Sequence, residues 1–198
     1  MGSEMCIRDR YIEYISAGIG GWGVSDYVVR KNFIYDIFGV NVISQEPPKT
    51  LADVPVQLTF EGNFIRNQWI REAGIMVSHY SGVKIVHNFI DYSHNFGIAI
   101  SDCEDVEIGD NIILNAVGVG ISLTDSRLIN IHHNTLVRNV FEDELPSGEK
   151  GLGIYISEER CDPYILEGEP FVSSNILIAD NLIDGWPVSY THLTLPTN

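Results

Sequence analysis

Residues 97–134 read GIAISDCEDVEIGDNIILNAVGVGISLTDSRLINIHHN, and this stretch decides the fold. It contains two copies of one pattern, because Gly97 and Gly120 are 23 residues apart and so are Asn111 and Asn134. Apolar and polar residues alternate after each glycine, and they alternate again before each asparagine. Period-two alternation is typical of short strands with one buried face. The stretch therefore predicts short strands that recur once per repeat.

The same pattern extends outward in both directions. Its asparagines are Asn32, Asn63, Asn88, Asn111, Asn134 and Asn181, and its glycine blocks begin at Gly39, Gly74, Gly97, Gly120 and Gly153. The blocks are not separated by amphipathic helices of about 10–15 residues, so a βαβ fold is excluded. One repeat cannot bury its own apolar face, whereas stacked repeats can. We therefore expect a solenoid with two strand blocks per coil and a buried asparagine ladder at the turn between strands.

The two motifs are Gly-aliphatic-x-aliphatic-Ser and aliphatic-x-aliphatic-x-x-Asn-x-aliphatic. They resemble those of the pectate-lyase-like family of right-handed parallel β-helices, over about six coils. The resemblance implies an all-β fold, a right-handed parallel β-helix solenoid. That family includes polysaccharide lyases, glycoside hydrolases, esterases, phage tailspikes and adhesins, so the resemblance does not choose one function.

The two ends of the sequence depart from the pattern. Residues 5–10 (MCIRDR) and 188–192 (VSYTH) can be encoded by reverse complements of one DNA string, which resembles a sequencing-adapter end. We therefore expect residues 1–10 and 188–198 to be adapter-derived and not native. The β-helix is then expected over residues 11–187, as a fragment that lacks natural caps.

Composition narrows the range of partners. The chain has 27 acidic and 12 basic residues and a net charge of −15, so nucleic acid and anionic membranes are poor partners. An apolar run of about 20 residues, the length of a membrane span, does not occur. Cys103 and Cys161, the cysteines of the expected native part, show no zinc spacing. The acidity suits an extracellular or periplasmic location, and the resemblance implies a polysaccharide or oligosaccharide partner.

Three insertions interrupt the minimal repeat: Gln45–Pro55, Val140–Lys150 and Glu158–Ser173. Each of them flanks a glycine-block strand, and none interrupts the asparagine turn. Insertions of solenoid repeats map to one face, which is often the binding face. We therefore expect a substrate groove along the sheet of glycine blocks. The alternative is that the insertions are surface loops without a role in binding.

A polar column borders the expected groove. The positions five residues after a block glycine are His79, Asp102, Asp125 and Glu158. We predict Asp102, Asp125 and Glu158 to be catalytic carboxylates, because stacked like charges raise one another's pKa and can keep one carboxyl protonated as an acid. Carboxyls about 5–5.5 Å apart suit a retaining glycosidase, and about 6.5–9.5 Å an inverting one. The alternative is that aspartate stands here only as a turn former.

Other side chains near the column are predicted to bind substrate. They are His79, His94, Glu104, Arg127, Tyr155 and Arg160. The histidines could orient a sugar, the arginines could bind an acidic sugar, and Tyr155 could stack on a ring, as could Tyr80 and Phe96. The mechanism requires no cofactor. Calcium is a further possibility, held by the stacked carboxylates together with the acidic residues 142–144.

Three functions remain open, and the glycoside hydrolase is favoured because the column is rich in carboxylates and no lysine flanks it. A polysaccharide lyase would need a base, for which Arg71, Arg127, Lys150 and Arg160 are candidates. A non-catalytic glycan-binding or adhesin module is the third. His87 and His133 precede ladder asparagines on a different side, and we interpret them, with His132, as polar surface.

Overall fold

The structure, a computed structural model, describes residues 5–8, 10–13, 19, 21–22, 25–37, 41–44, 56–68, 73–138, 151–157 and 173–186. Regular structure in these ranges consists of strands, numbered β1–β20 in chain order. The described residues form no helix with the length and hydropathy of a membrane span.

The strands form three parallel sheets. Sheet A contains β1 (Met5–Arg8), β4 (Tyr27–Arg30), β7 (Val56–Glu61), β10 (Ser81–Val86), β13 (Glu104–Gly109), β16 (Arg127–His132) and β19 (Ser174–Ala179). Sheet B contains β2 (Tyr11–Glu13), β5 (Phe33–Ile37), β8 (Phe64–Gln68), β11 (Phe89–Ser93), β14 (Ile112–Leu114), β17 (Thr135–Val137) and β20 (Leu182–Asp184). Sheet C contains β3 (Gly21–Trp22), β6 (Asn41–Ser44), β9 (Ala73–Ser78), β12 (Phe96–Ser101), β15 (Val119–Thr124) and β18 (Leu152–Ser157).

The parallel β-helix is confirmed, with one correction to the coil. Each complete coil has three strands, in the order C, A, B, rather than two strand blocks. The third strand follows the ladder asparagine and shows in the sequence only as an aliphatic residue two positions later. β14, β17 and β20 have three residues each, which is too short for alternation to be visible.

The core is built from columns of equivalent residues. Ile98 pairs with Ile75 and with Ile121, and all three side chains are buried. Sheets A and B contribute matching columns, so the interior is a continuous apolar cylinder. Burying one aliphatic side chain of this size stabilises the fold by about 1.5–3 kcal/mol.

The block glycines have a packing reason. A Cβ on Gly97 would lie 2.5 Å from the carbonyl oxygen of Gly120 and 2.5 Å from Cγ2 of Ile113. Glycine at the second position therefore lets each sheet C strand approach both the next coil and sheet B.

The expected asparagine ladder is present at the turn between sheets A and B. The backbone N–H and side-chain amide of Asn111 both donate to Oδ1 of Asn134, at 3.0 and 2.9 Å. The amide of Asn111 also donates to the carbonyl of Ile85 at 2.8 Å. The asparagines before and after repeat this arrangement, so backbone groups freed by the turn are satisfied inside the protein.

The insertions lie outside the described residues, except for Ser173. Their flanking strands show where they enter the coil. The first and third connect sheet C to sheet A, from β6 to β7 and from β18 to β19, and the second connects β17 of sheet B to β18 of sheet C. The insertions thus leave from the two ends of the sheet C strands, as the sequence predicts.

The adapter origin of the two ends stays a prediction. β1 pairs in parallel with β4, and the backbone N–H of Arg10 donates to Oδ1 of Asn32 at 3.1 Å, so these residues occupy a further rung. Residues 188–198 lie outside the described part of the chain.

Candidate functional site

A groove runs along the outer face of sheet C, where the sequence predicts one. Its cavity has a volume of about 360 Å³ and crosses β9, β12, β15 and β18. The outward positions of these strands, which alternate with the buried isoleucine columns, supply the centre of the groove and its polar side. Its lining residues are Met76, Phe96, Ala99, Ile100, Ser101, Val119, Ser122, Thr124, Leu152, Tyr155 and Ser157.

The floor of this sheet C groove is a column of outward-facing residues, and the residue type differs from coil to coil. Register places Ala99 opposite Met76 and Ser122, and Ser122 opposite Tyr155. Tyr155 was predicted from the sequence, whereas the other three floor residues were missed. They occupy the unspecified x of the Gly-aliphatic-x-aliphatic-Ser motif, which is the one position of the strand that faces outward between two buried residues. The position of these residues in the motif was therefore the sequence signal that could have identified them as groove residues.

The two long edges of the groove differ in chemistry. Phe96, Val119 and Leu152 form an apolar edge at the start of the strands. Hydroxyls form the other edge, where Thr124 Oγ1 and Ser157 Oγ lie 3.0 Å apart in a hydrogen bond. The groove therefore offers apolar surface on one side and hydroxyl donors and acceptors on the other, as a sugar with one apolar face requires.

The predicted polar column lies next to the hydroxyl edge, at the turn from sheet C to sheet A. We call this turn, occupied by His79, Asp102 and Asp125, the acidic corner. The three residues have φ angles of 60°, 51° and 45°. The backbone N–H of each donates to a carbonyl of the next coil, at 3.1, 3.1 and 3.3 Å. Aspartate is among the residues that tolerate this left-handed conformation, so turn formation by itself explains part of the column.

Within the acidic corner the structure brings His79 and Asp102 together. Nε2 of His79 lies 3.7 Å from Oδ2 of Asp102, with the side chains 23% and 37% exposed. Nδ1 of His79 is buried and has no hydrogen-bond partner among the described residues. The next coil places Asp125 beside Asp102, because Ser101 and Thr124, the residues just before them, are paired in register. These neighbouring aspartates are the closest match to the predicted catalytic pair.

Glu158 and Arg160 lie outside the described residues. Ser157, the residue before Glu158, pairs with Thr124. The described part of β18 ends at Ser157, one residue before the position that the repeat assigns to Glu158. The catalytic role predicted for Glu158 and the binding role of Arg160 stay predictions.

Glu104 and Arg127 form an ion pair at the start of β13 and β16. Nη2 of Arg127 lies 2.9 Å from Oε2 of Glu104, and the two side chains are partly exposed. Exposed pairs of this kind contribute about 0–1 kcal/mol, so the pair can open to admit an acidic ligand at little cost. Binding of an acidic sugar by Arg127 would have to compete with Glu104.

His94 is not brought to the acidic corner. It lies between β11 and β12, whereas Asp102 follows the other end of β12. The six residues of β12 span roughly 16 Å at about 3.3 Å per residue. His94 thus lies at the other end of β12, two residues before Phe96, and is not among the residues that line the groove. Tyr80, considered for sugar stacking, is instead buried in the core.

Cys103 follows Asp102 but does not supply a nucleophile. Burial raises the pKa of its thiol to about 12, and the thiol donates a hydrogen bond to the carbonyl of Ser101 at 3.2 Å. A thiol with that pKa stays protonated at neutral pH, so nucleophilic catalysis by Cys103 is excluded. Among the described residues no three or more His, Cys, Asp and Glu side chains are grouped to hold a metal ion. Calcium binding with residues 142–144 or Glu158 stays a prediction.

Comparison with solved structures finds the same fold. A double mutant of the periplasmic alginate epimerase AlgG is 14% identical and superimposes with a TM-score of 0.57, over 89% of this chain and 46% of that one. DFA-IIIase from Arthrobacter chlorophenolicus A6, without its lid, is 12% identical with a TM-score of 0.50, over 92% of this chain and 59% of that one. The chain spans about half the length of these proteins.

The comparison with curated proteins returns no significant match. The family model described as "Right handed beta helix region" matches residues 50–167, which is more than half of the chain. These residues include the glycine blocks at Gly74, Gly97, Gly120 and Gly153 on which the groove is built. The chain therefore belongs to the right-handed β-helix family.

Proposed function

We propose that this protein acts on a carbohydrate and hydrolyses glycosidic bonds with Asp102 and Asp125 as the carboxylate pair. The observation that carries the proposal is the position of these aspartates. They occupy the same turn on neighbouring coils, at the hydroxyl edge of a groove that could hold a glycan. Glu158 would extend the set by one further coil.

The spacing of coils supports a two-carboxylate mechanism. Neighbouring strands of a sheet are about 4.8 Å apart, and a retaining glycosidase needs carboxyls about 5–5.5 Å apart. One carboxyl would protonate the leaving oxygen and the other would attack the anomeric carbon. Side chains two coils apart would be about 9.6 Å apart, close to the inverting range. Asp102 and Asp125 therefore favour retention, and Asp102 with Glu158 would favour inversion.

Substrate binding would use both edges of the groove. Tyr155 on the floor and Phe96 on the apolar edge offer faces on which sugar rings stack. His79 would hold Asp102 in place from the coil below. The alginate epimerase and DFA-IIIase share the fold, and the periplasmic location of the epimerase agrees with the extracellular or periplasmic location proposed here.

The test uses matched aspartates at two turns. Asp102→Asn and Asp125→Asn should each abolish release of reducing sugar from a responsive polysaccharide, with unchanged far-UV circular dichroism. Asp110→Asn is the control, because Asp110 has the same left-handed φ of 54° but lies at the turn between sheets A and B. Full activity in both corner variants would refute the proposal.

A glycan-binding module without catalysis is the second candidate. The groove floor favours it, because Met76, Ala99, Ser122 and Tyr155 include no carboxylate or imidazole. Retention of an oligosaccharide by wild-type protein and by Asp102→Asn alike, without cleavage by either, would favour this candidate. The lyase hypothesis stays a prediction, and an unsaturated product that absorbs in the near ultraviolet would support it instead.

A further inference from the structure

The turn between sheets A and B carries a second polar cluster, away from the groove. His132 ends β16, and His133 precedes the ladder residue Asn134 with a φ of 53°. Nδ1 of His132 lies 3.0 Å from Nδ1 of His133, and the two rings meet edge to face at 82°. From the sequence we interpreted both residues as polar surface, and neither has a role in the proposed function.

The ring of His132 is held in place by the coil below. Gly109 is its register partner in β13, and a Cβ on Gly109 would lie 2.5 Å from Cε1 of His132. The absence of a side chain on Gly109 thus leaves space for the His132 imidazole. The His132 side chain is only 20% exposed, whereas that of His133 is 60% exposed. One ring of the pair is fixed and the other stands at the surface, where an ion can reach it.

The opposite nitrogens of both rings face carboxylates. Nε2 of His132 lies 3.4 Å from Oε1 of Glu107, and Nε2 of His133 lies 3.9 Å from Oδ2 of Asp180. A carboxylate favours the proton on the nitrogen that faces it. With both Nε2 atoms protonated, the two Nδ1 lone pairs are free to bind one cation between them; with the proton on one Nδ1, that N–H donates to the other ring, and a metal ion would displace this proton. Metal-binding histidines commonly have this arrangement, with a carboxylate on the second nitrogen.

We propose that His132 and His133 chelate a divalent transition-metal ion through their Nδ1 atoms. Two imidazole nitrogens at about 2.1 Å from a metal, at a right angle, are about 3.0 Å apart. A right angle belongs to square-planar or octahedral coordination, which Cu²⁺ and Ni²⁺ adopt, and Cu²⁺ binds nitrogen ligands most tightly of the divalent series. Glu107 and Asp180 orient the rings, and water completes the coordination.

The chain supplies a matched control at the same turn. His87 occupies the same position two coils below, with a φ of 56°, but Val86 stands before it in place of a second histidine. Asparagine tolerates the left-handed conformation, so His87→Asn and His133→Asn each remove one imidazole without altering the turn. His132→Gln removes the imidazole that packs over Gly109.

The experiment is a titration of the protein with CuCl₂, followed by calorimetry and by electron paramagnetic resonance. We expect one tight Cu²⁺ per chain with nitrogen hyperfine structure, an affinity lowered about tenfold or more by His133→Asn and by His132→Gln, and no change with His87→Asn. Far-UV circular dichroism checks that each variant is folded. Equal binding by wild-type protein and both pair variants would overturn the proposal. So would an equal loss in His87→Asn, or a proton shared between the Nδ1 atoms that excess Cu²⁺ does not displace.

Discussion

Two turns of the coil share one backbone conformation, a left-handed residue followed by a buried residue, but they differ in their role. The ladder corner, between sheets A and B, has a left-handed residue such as Asp110 followed by buried Asn111. The acidic corner has left-handed Asp102 followed by buried Cys103. The ladder corner repeats asparagine from Asn32 to Asn181, with Arg10 at the equivalent position of the first rung, whereas the acidic corner varies. Comparing them separates what holds the solenoid together from what can change.

The ladder corner tolerates little variation inside the solenoid. From Asn63 to Asn181 each ladder Oδ1 accepts two hydrogen bonds from the preceding coil, as Oδ1 of Asn111 does from the backbone N–H of Asn88 at 2.9 Å and from its amide at 3.0 Å. A residue without a side-chain acceptor would leave the buried backbone N–H of the preceding asparagine without a partner. None of the three insertions enters this turn.

The acidic corner has a shorter ladder that tolerates exchange. The backbone N–H of Cys103 donates to Oγ of Ser126 at 3.1 Å, and that of Ser126 donates to Oγ of Ser173 at 3.3 Å. Each hydroxyl in turn donates to a carbonyl of its own coil. Ser173 occupies the equivalent position on the next coil, although 15 residues, 158–172, separate it from Ser157 in the sequence. A turn closed by one small side chain therefore admits loops and varied polar groups.

Moving a loop from one corner to the other should give the largest effect. We expect Gly-Ser-Gly inserted between Asp110 and Asn111 to destabilise the protein by about 5 kcal/mol or more, because several buried donors lose partners at about 1–3 kcal/mol each. The same insertion between Asp102 and Cys103 should cost about 1–2 kcal/mol, chiefly loop entropy. Urea unfolding measures both, and equal losses would remove the distinction between the corners.

Truncating one ladder residue should have the next largest effect. Asn111→Ala leaves the buried backbone N–H of Asn88 without an acceptor and removes the amide donor to the carbonyl of Ile85, so we expect a loss of about 3–5 kcal/mol in the free energy of unfolding. Asp110→Asn, one residue away and exposed, should change it by less than about 0.5 kcal/mol. A loss under about 1 kcal/mol for Asn111→Ala would contradict this account of the ladder.

The corresponding truncation at the acidic corner should cost less. Ser126→Ala removes one acceptor, that of the Cys103 backbone N–H, and we expect a loss of about 1–2 kcal/mol. Cys103→Ser keeps a donor for the carbonyl of Ser101 and is the control, with a change of less than about 1.5 kcal/mol. If Ser126→Ala lowered the free energy of unfolding as much as Asn111→Ala, the acidic corner would matter as much to stability as the asparagine ladder.

The smallest effect on stability should come from the aspartates proposed for catalysis. Asp102→Asn keeps a side chain that tolerates the left-handed turn, so the free energy of unfolding should change by less than about 0.5 kcal/mol. Thermal unfolding beside the activity assay would separate the two roles. A large destabilisation would indicate that the carboxylate of Asp102 serves the fold.

The fold was predictable because stacking turns a sequence repeat into a spatial column. The 23-residue spacing of Asn88, Asn111 and Asn134 is enough to place them above one another, and their buried amides then have only one another and the backbone as partners. The third strand was missed because three residues such as Thr135–Val137 carry too little alternation to be recognised.

The sheet that carries the groove was predictable, but the residues that line the groove were not. The insertions and Tyr155 indicate sheet C, whereas Met76, Ala99 and Ser122 share no chemistry that would mark them as one surface. The histidine pair is similar, since two adjacent histidines do not show which nitrogens face each other. The space over Gly109 that holds the His132 ring, and the carboxylates of Glu107 and Asp180, come from neighbouring coils.

The sequence by itself determined the coil length, the ladder asparagines, and the sheet beside which the insertions leave, because each depends on spacing along the chain. Tertiary structure alone decided that His79 meets Asp102, that Arg127 is paired with Glu104, and that His94 lies at the end of β12 away from the acidic corner. The physical reason is that side-chain contacts in a solenoid form between coils. They depend on rotamers and on neighbours about 23 residues away, which the spacing along one coil does not specify.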